Sequence, residues 1–563
     1  MLKAKAIYLL LCLFCGSLLE ATENTSAHWN LSGQLSLNSQ WYHMNSDELS
    51  AVQPRQPGNL HRFMLTPTLS YGEFRLPVRI IFSSRQTNSV SMRAAHQGFQ
   101  QFLQNPINTF SVSPSYRWAR AVIGSQTVSH SSFTTGDAKL FGAALELTPG
   151  KWNFSAFHGT SQRVIKPDSI LRIPGAFQRN FSALKIGYGQ TGAFHVYINL
   201  AMMEDQKSSL EKATHKLRPQ EGLAASLVLG IPIGNYLLLT NEVALSFFTR
   251  DKNAATFNSD QLGFLSSFYQ TNLSSRTDYA VQSALALNRG TFDLSLKTTY
   301  VGDGFVAPGF PYMQTDRFDI TLNPTVRLWS SRLILSANVG HRQNNLSDTR
   351  LQSTSHLLMN FTANARVSQN FGLNASYANF GMRTTFTNDT LRLEVVSSTL
   401  SLSSWLNIDV NRGMHQLSGS LSLDQSEDTN LLTSQQEDRQ TFSFFVSHAF
   451  IFDERPMNTE FSVSYLKNNA RWGVTNFTLQ PGLTYRFFNR SLQSSLRLAY
   501  VQSSLMNHSA DKSFMIRPGL RYNISRQVIA RADASLRIYR YGSARPGTGF
   551  NENIFRTTIS YRF

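Results

Sequence analysis

The sequence predicts an all-β fold: a transmembrane antiparallel β-barrel of about 26 strands, within about 24–28. Three observations carry this. The first is composition. Of 563 residues only 15% are charged, against about 25% in soluble domains. Mean hydropathy is still slightly negative, because Ser, Thr, Asn and Gln fill the deficit beside 40 Phe and 19 Tyr. The second is that the only long apolar run stands at the extreme N-terminus, and a membrane helix needs about 20 apolar residues. The third is a period of two in hydrophobicity, repeated along the chain in segments of strand length.

The elements follow in order. Lys3 and Lys5 precede an apolar stretch from Ala6 to Cys15, and Ala21 offers a small residue for cleavage. These are the parts of a secretory signal peptide over residues 1–21, leaving 22–563 as the barrel. An apolar stretch of about ten residues is too short to serve as a membrane anchor. Cys12 and Cys15 both lie in the leader, so no disulfide or thiolate metal site is expected in the mature chain. Loss of Lys3, Lys5 and Glu20 changes the net charge from +17 to +16.

Strands then begin with Trp29, Leu31, Gly33, Leu35 and Leu37. Phe74, Leu76, Val78, Ile80 and Phe82 make a clean apolar face opposite Arg75, Pro77, Arg79, Ile81 and Ser83. Similar faces run through 194–200, 318–328 and 477–487. Tight connections alternate with long polar ones around 45–60, 86–107, 203–219, 249–275, 304–316, 383–393, 425–437 and 542–552. Short periplasmic turns and long extracellular loops are the expected arrangement. A weak repeat places Pro67, Pro114, Pro324, Pro481 and Pro518 at matching points of strands that descend to tight turns. It fits either a bend near the rim, where proline breaks one ladder bond, or hairpin duplication.

The chain ends on Phe555, Thr557, Ile559, Tyr561 and Phe563 alternating with Arg556, Thr558, Ser560 and Arg562. This resembles the terminal strand of Gram-negative outer-membrane barrels. The resemblance implies an assembly signal at Phe555, Ile559, Tyr561 and Phe563, read by the barrel-assembly machinery. It also implies an outer-membrane location, with membrane lipid and lipopolysaccharide as surroundings. The Ser/Asn-rich strands and large size resemble uncharacterised large barrels of Bacteroidetes-type bacteria. TonB-dependent transporters differ by an N-terminal plug domain, for which no room is left before the first strand. The lipopolysaccharide-insertion barrel differs by a periplasmic domain and disulfides.

No HExxH, P-loop or GxSxG motif is present. The expectation is no enzyme, no catalytic residue, no metal and no cofactor. Strand-alternating arginines behind a leader argue against nucleic acid as a partner. Arg75, Arg79, Arg117, Arg327, Arg486, Arg521, Arg531 and Arg562 fall on lumen parity near tight turns. They would form a basic collar that attracts anions, unless neighbours such as Glu146, Asp319 and Asp533 pair with them.

A lumen this wide needs filling, since barrels of 16–18 strands already leave an aqueous channel. Loop 86–107, with Phe99, Phe102 and Leu103, and loop 249–275, with Phe264, Phe268 and Tyr269, are the candidates. They would constrict the pore or dock a partner. The function expected is a porin-like transport channel for polar solutes or a polymer, constricted by inward-folded loops. The alternative is a structural or interaction barrel with an occluded lumen, a component of an envelope secretion or assembly complex with protein partners.

Overall fold

The computed structural model describes residues 28–563, apart from 47–53, 57, 85–102, 104, 106, 168–174, 211–216, 257–268, 270, 387–392, 429–437, 471–472, 507 and 545–546. The leader, Phe99, Phe102, Phe264 and Phe268 lie outside the described residues.

The chain runs up and down as one closed antiparallel sheet. β1 (Trp29–Ser46), β2 (Leu60–Tyr71), β3 (Phe74–Ser83), β4 (Thr109–Val112), β5 (Ser115–Tyr116), β6 (Ala119–Val128), β7 (Ala138–Leu147), β8 (Trp152–Gln162) and β9 (Gln178–Gly189) come first. β10 (His195–Gln206), β11 (Glu221–Ile233), β12 (Leu237–Thr249), β13 (Ser275–Asn288), β14 (Phe292–Val301), β15 (Arg317–Leu328), β16 (Leu333–Asn344), β17 (Gln352–Arg366) and β18 (Phe371–Phe386) follow. The last third holds β19 (Leu393–Val410), β20 (Gly413–Asp428), β21 (Arg439–Phe452), β22 (Met457–Asn468), β23 (Val474–Phe487), β24 (Leu492–Leu505), β25 (Asp511–Asn523), β26 (Val528–Arg540) and β27 (Gly549–Arg562). β4 and β5 are halves of one strand, broken at Ser113 and Pro114. The 27 segments therefore make 26 staves, the number expected from the sequence.

Alternation explains why these segments form this sheet. Register keeps like faces together: Leu65 opposes Ile80, Leu296 opposes Leu322, and Leu400 opposes Leu423. One slip of a residue would turn every apolar side chain to the other face. The outward face stays apolar around the barrel, with Leu200, Leu227, Val243, Leu402 and Ile559 all well exposed. That is a surface suited to hydrocarbon. Near the short turns it carries aromatic pairs, such as Trp29 with Tyr71 at 4.8 Å and Trp152 with Tyr188 at 5.2 Å. Such rings settle where hydrocarbon meets water.

Closure joins β1 to β27 from Gln34–Arg562 to Ser46–Phe550. Gly33 N donates to the Phe563 carbonyl at 2.9 Å, and Phe563 N donates back at 3.2 Å. Gly33 has no room for a side chain, because a Cβ would fall 2.6 Å from the Thr66 carbonyl and 2.9 Å from the Phe563 ring.

The repeated prolines have a common place. Between β2 and β3 the pairing skips from Leu65–Ile80 to Thr68–Pro77, missing Pro67. It skips Pro324 between β15 and β16, Pro481 between β23 and β24, and Pro518 between β25 and β26. On the other side Pro67, Pro324, Pro481 and Pro518 keep their register partners Gly33, Leu294, Phe461 and Leu496. The missing amide hydrogen is thus spent on the same edge each time, and the sheet bends there.

Candidate functional site in the barrel lumen

The inward face of this barrel has two characters. From β6 to β14 it carries two buried apolar clusters, set among polar side chains such as Asn199 and Glu242. Val122, Val128, Leu140, Ala144, Phe157, Phe181, Ala183, Ala201 and Met203 form one buried cluster. Phe133, Ala244, Ala280, Val301, Phe305 and Ala307 form a second. Inward-facing Leu, Phe and Met in a water-filled barrel would lose about 25 cal/mol for each Å² left wet. Two connections cover them. Loop 129–137 brings Phe133, at 2% exposure, onto Ala244, Ala280 and Val301 of the facing wall. Loop 302–316 brings Phe305, at 0% exposure, edge-on to Phe133 with ring centroids 5.7 Å apart.

The two loops bond to each other and to the wall. Gly309 N donates to the Thr134 carbonyl at 2.9 Å. Val306 N donates to Ser246 Oγ at 3.0 Å, and that hydroxyl donates to the Val306 carbonyl at 2.8 Å. The Ser131 hydroxyl donates to the carboxylate of Glu242, which is 6% exposed. His130 Nε2 lies 2.9 Å from Ser155 Oγ of β8. Burial, with a smaller push from Lys185, lowers the His130 imidazole to about 4, so it is neutral at pH 7.

This bridge fixes the shape of the wall. Ser131 stands three residues beyond Val128, which limits its reach to about 10 Å. Six strand spacings separate β6 from β12. In a round barrel of this size that is an arc of about 35–40 Å at ~4.8 Å per tilted strand. Contact with Glu242 is therefore reached only because the wall from β6 to β12 curls tightly inward. These contacts close off the β6–β14 sector from the remainder of the barrel.

The wall facing the remainder is polar in a regular way. Thr325, Ser336, Thr362, Ser376, Ser401, Ser422 and Ser443 are register partners in succession from β15 to β21. They form a hoop of hydroxyls on the inward face. Ser376 and Ser401 lie 2.8 Å apart, and Ser418 and Ser447, nearer the turns, 2.6 Å. Asn338 bonds Asn323, and Thr399 donates to Asp424 at 2.7 Å. Hydroxyls serve as donor and acceptor at once, so this wall offers both to any solute.

The arginines divide into three groups. Arg117 sits in a turn, with φ 49°, and pairs with Glu73. Arg327 pairs with Asp293 at 2.5 Å, and Arg486 meets Asn458. Arg75, Arg521, Arg531 and Arg562 carry no ion pair among the described residues. They lie near the turn side of β3, β25, β26 and β27, on six adjoining staves that include the β1–β27 seam. Arg521 and Arg531 are direct cross-strand partners. The free charge is an arc rather than a full ring. Arg79 stands apart, further from the turn, beside a gap in the wall.

Of the loop residues expected to constrict the pore or dock a partner, Leu103 and Tyr269 are described. Tyr269 is buried, but its hydroxyl lies 2.6 Å from Thr249 Oγ1 and its ring 6.1 Å from Phe247. Phe247 and Thr249 share the outward parity of Val243 and Leu245, so Tyr269 does not enter the lumen. Leu103 is half-buried beside Asn105. Among the described residues, Phe133 and Phe305 reach into the lumen; the sequence showed 304–316 only as a long connection and offered neither residue as a constriction. A signal existed: β7 reads Ala-Lys-Leu-Phe-Gly-Ala-Ala-Leu-Glu-Leu, apolar on both faces, which calls for a cover on each. Phe555, Ile559, Tyr561 and Phe563 all lie in or at the end of the closing strand, where Phe555 packs 5.4 Å from Trp41.

No family model matches the chain, and no curated protein matches it. Among solved structures it is similar to the P pilus usher PapC translocation pore, at 13% identity, 94% of this chain, 99% of that one and a TM-score of 0.41. It is similar to the Pseudomonas aeruginosa ferric enterobactin receptor PfeA at 10% identity, 96% and 81% coverage and 0.42. It is similar to Pseudomonas aeruginosa OpdK with vanillate at 11% identity, 65% and 97% coverage and 0.29. The likeness is one of barrel architecture.

Proposed function

We propose that the protein is an outer-membrane channel for polar solutes, with short turns in the periplasm and long loops outside. The observation that carries this is the contrast within one lumen. A dry bridge seals the β6–β14 lobe, while a hydroxyl hoop lines the wall from β15 to β21. Hydroxyls and amides in register can exchange hydrogen bonds with a hydrated solute without holding it tightly, as passage requires. The unpaired arginines on the turn side would make the periplasmic mouth lean toward anions. The terminal strand serves as assembly signal, and no chemistry is catalysed.

Purified protein in planar bilayers tests the reading. Stable, stepwise conductance is expected, with reversal potentials favouring anions. A second reading has its own support in the dryness of the bridge: an occluded barrel acting within an envelope secretion or assembly complex. Silent bilayers together with co-purifying envelope proteins would establish that reading instead.

A further inference from the structure

The structure assigns an oxyanion-binding notch in the wall between β3 and β8, for a phosphate group. β4 meets β6 only at Ser111–Gly124 and Val112–Ile123. At Gly124 the strands touch: φ is +108°, and a Cβ there would fall 2.0 Å from the Phe110 carbonyl. Beyond this point β6 runs on to Val128 with no described strand on its β4 side, and Phe110 N donates to Ser125 Oγ across the gap at 3.3 Å.

The gap is a cavity of about 360 Å³, lined by Arg79, Lys139 and Arg163 with Gln126, Thr127 and Thr160 among its polar groups. Among the described residues, no Asp or Glu lines it. The cations come from β3, β7 and the residue after β8, so the fold, not a basic run in sequence, brings them together. Neither Arg79 nor Lys139 has an acidic partner among the described residues. Arg79 and Lys139, facing one cavity without an acidic partner, leave it positively charged until an anion enters, and guanidinium matches phosphate oxygens two at a time. The volume is at the small end for ligand sites, suited to a headgroup rather than a large solute. Arg79 has inward parity, whereas Lys139 and Phe141 share the outward parity of Leu145. The notch is thus lined from both faces. Its phosphate can belong to a lipid headgroup at the barrel's outer boundary or to a free phosphate in the lumen. This site does not depend on conduction.

The test uses the purified full chain in detergent, with inorganic phosphate followed by equilibrium dialysis and bisphosphorylated lipid A by native mass spectrometry. The parent is expected to bind, and R79Q/K139Q/R163Q to lose at least about tenfold in affinity, while keeping the heat-modifiable mobility of a folded barrel. Tighter binding of lipid A than of inorganic phosphate identifies the headgroup as the source, and the reverse identifies the soluble ion. Should the triple variant fail to fold, K139Q and R79Q carry the test singly, with a loss of about threefold or more expected for each. Binding by folded variants within twofold of the parent (about 0.4 kcal/mol), or no binding of either probe by the parent, overturns the assignment.

Discussion

Phe133→Ala removes the keystone of the lumen bridge. The ring is 2% exposed and packs on Ala244, Ala280, Val301, Phe305 and Ala307. Loss of a buried Phe costs about 3–5 kcal/mol, of which the edge-on contact with Phe305 accounts for ~0.5–1.5 kcal/mol. Phe133 belongs to no strand ladder, so the loss falls on local opening rather than on the barrel. At 1.4 kcal/mol per tenfold, the equilibrium between closed and open bridge shifts by about two to nearly four orders of magnitude. Single-channel recording in planar bilayers reads this as longer open times and a larger conductance step. Thermal unfolding by circular dichroism stays close to the parent. Conductance and dwell times matching the parent, from a variant folded by heat-modifiable mobility, would refute the claim that the bridge limits the passage.

The other predictions concern the same lumen. His130 is held neutral by burial, with its imidazole lowered to about 4. The opened loop would take up a proton near 6.5, so closure is undiminished above that pH and weakens as pH falls toward 4, by about 1.4 kcal/mol for each pH unit. Conductance titrated from pH 7.5 to 4 should rise in that window, and H130N should flatten the rise. Gly309→Ala places a Cβ 1.9 Å from the Thr135 carbonyl, so the two loops must part; hydrogen exchange should quicken in 129–137 and 302–316 and remain unchanged in β17–β24. R521Q/R531Q/R562Q removes most of the unpaired arc, and the reversal potential should move toward cations; an unmoved potential would show that the arc does not set selectivity.

The wall was legible and its filling was not. Period-two alternation placed strands such as Phe74–Ser83 and Arg317–Leu328 because a half-buried sheet face enforces it on every residue. Stave parity and number followed from the alternation of short and long connections. The bridge resisted because it depends on distance in space. Phe133 is one aromatic in a short polar loop, and nothing local shows that Ala244 and Ala280 wait for it from strands that begin more than a hundred residues later. The arginines fell between these cases. Arg521 and Arg531 were placed by parity, but whether Arg327 finds Asp293 or stays free is decided by register, which only the fold supplies.

The hydroxyl hoop also bears on how a solute would travel. Thr325 through Ser443 spans seven staves of 26. A solute following it would be handed from oxygen to oxygen around a wall, not funnelled down an axis. Such a track favours molecules with one hydrogen-bonding edge and tolerates bulk on the opposite edge. Discrimination would then depend on which face of the solute is polar more than on how wide it is.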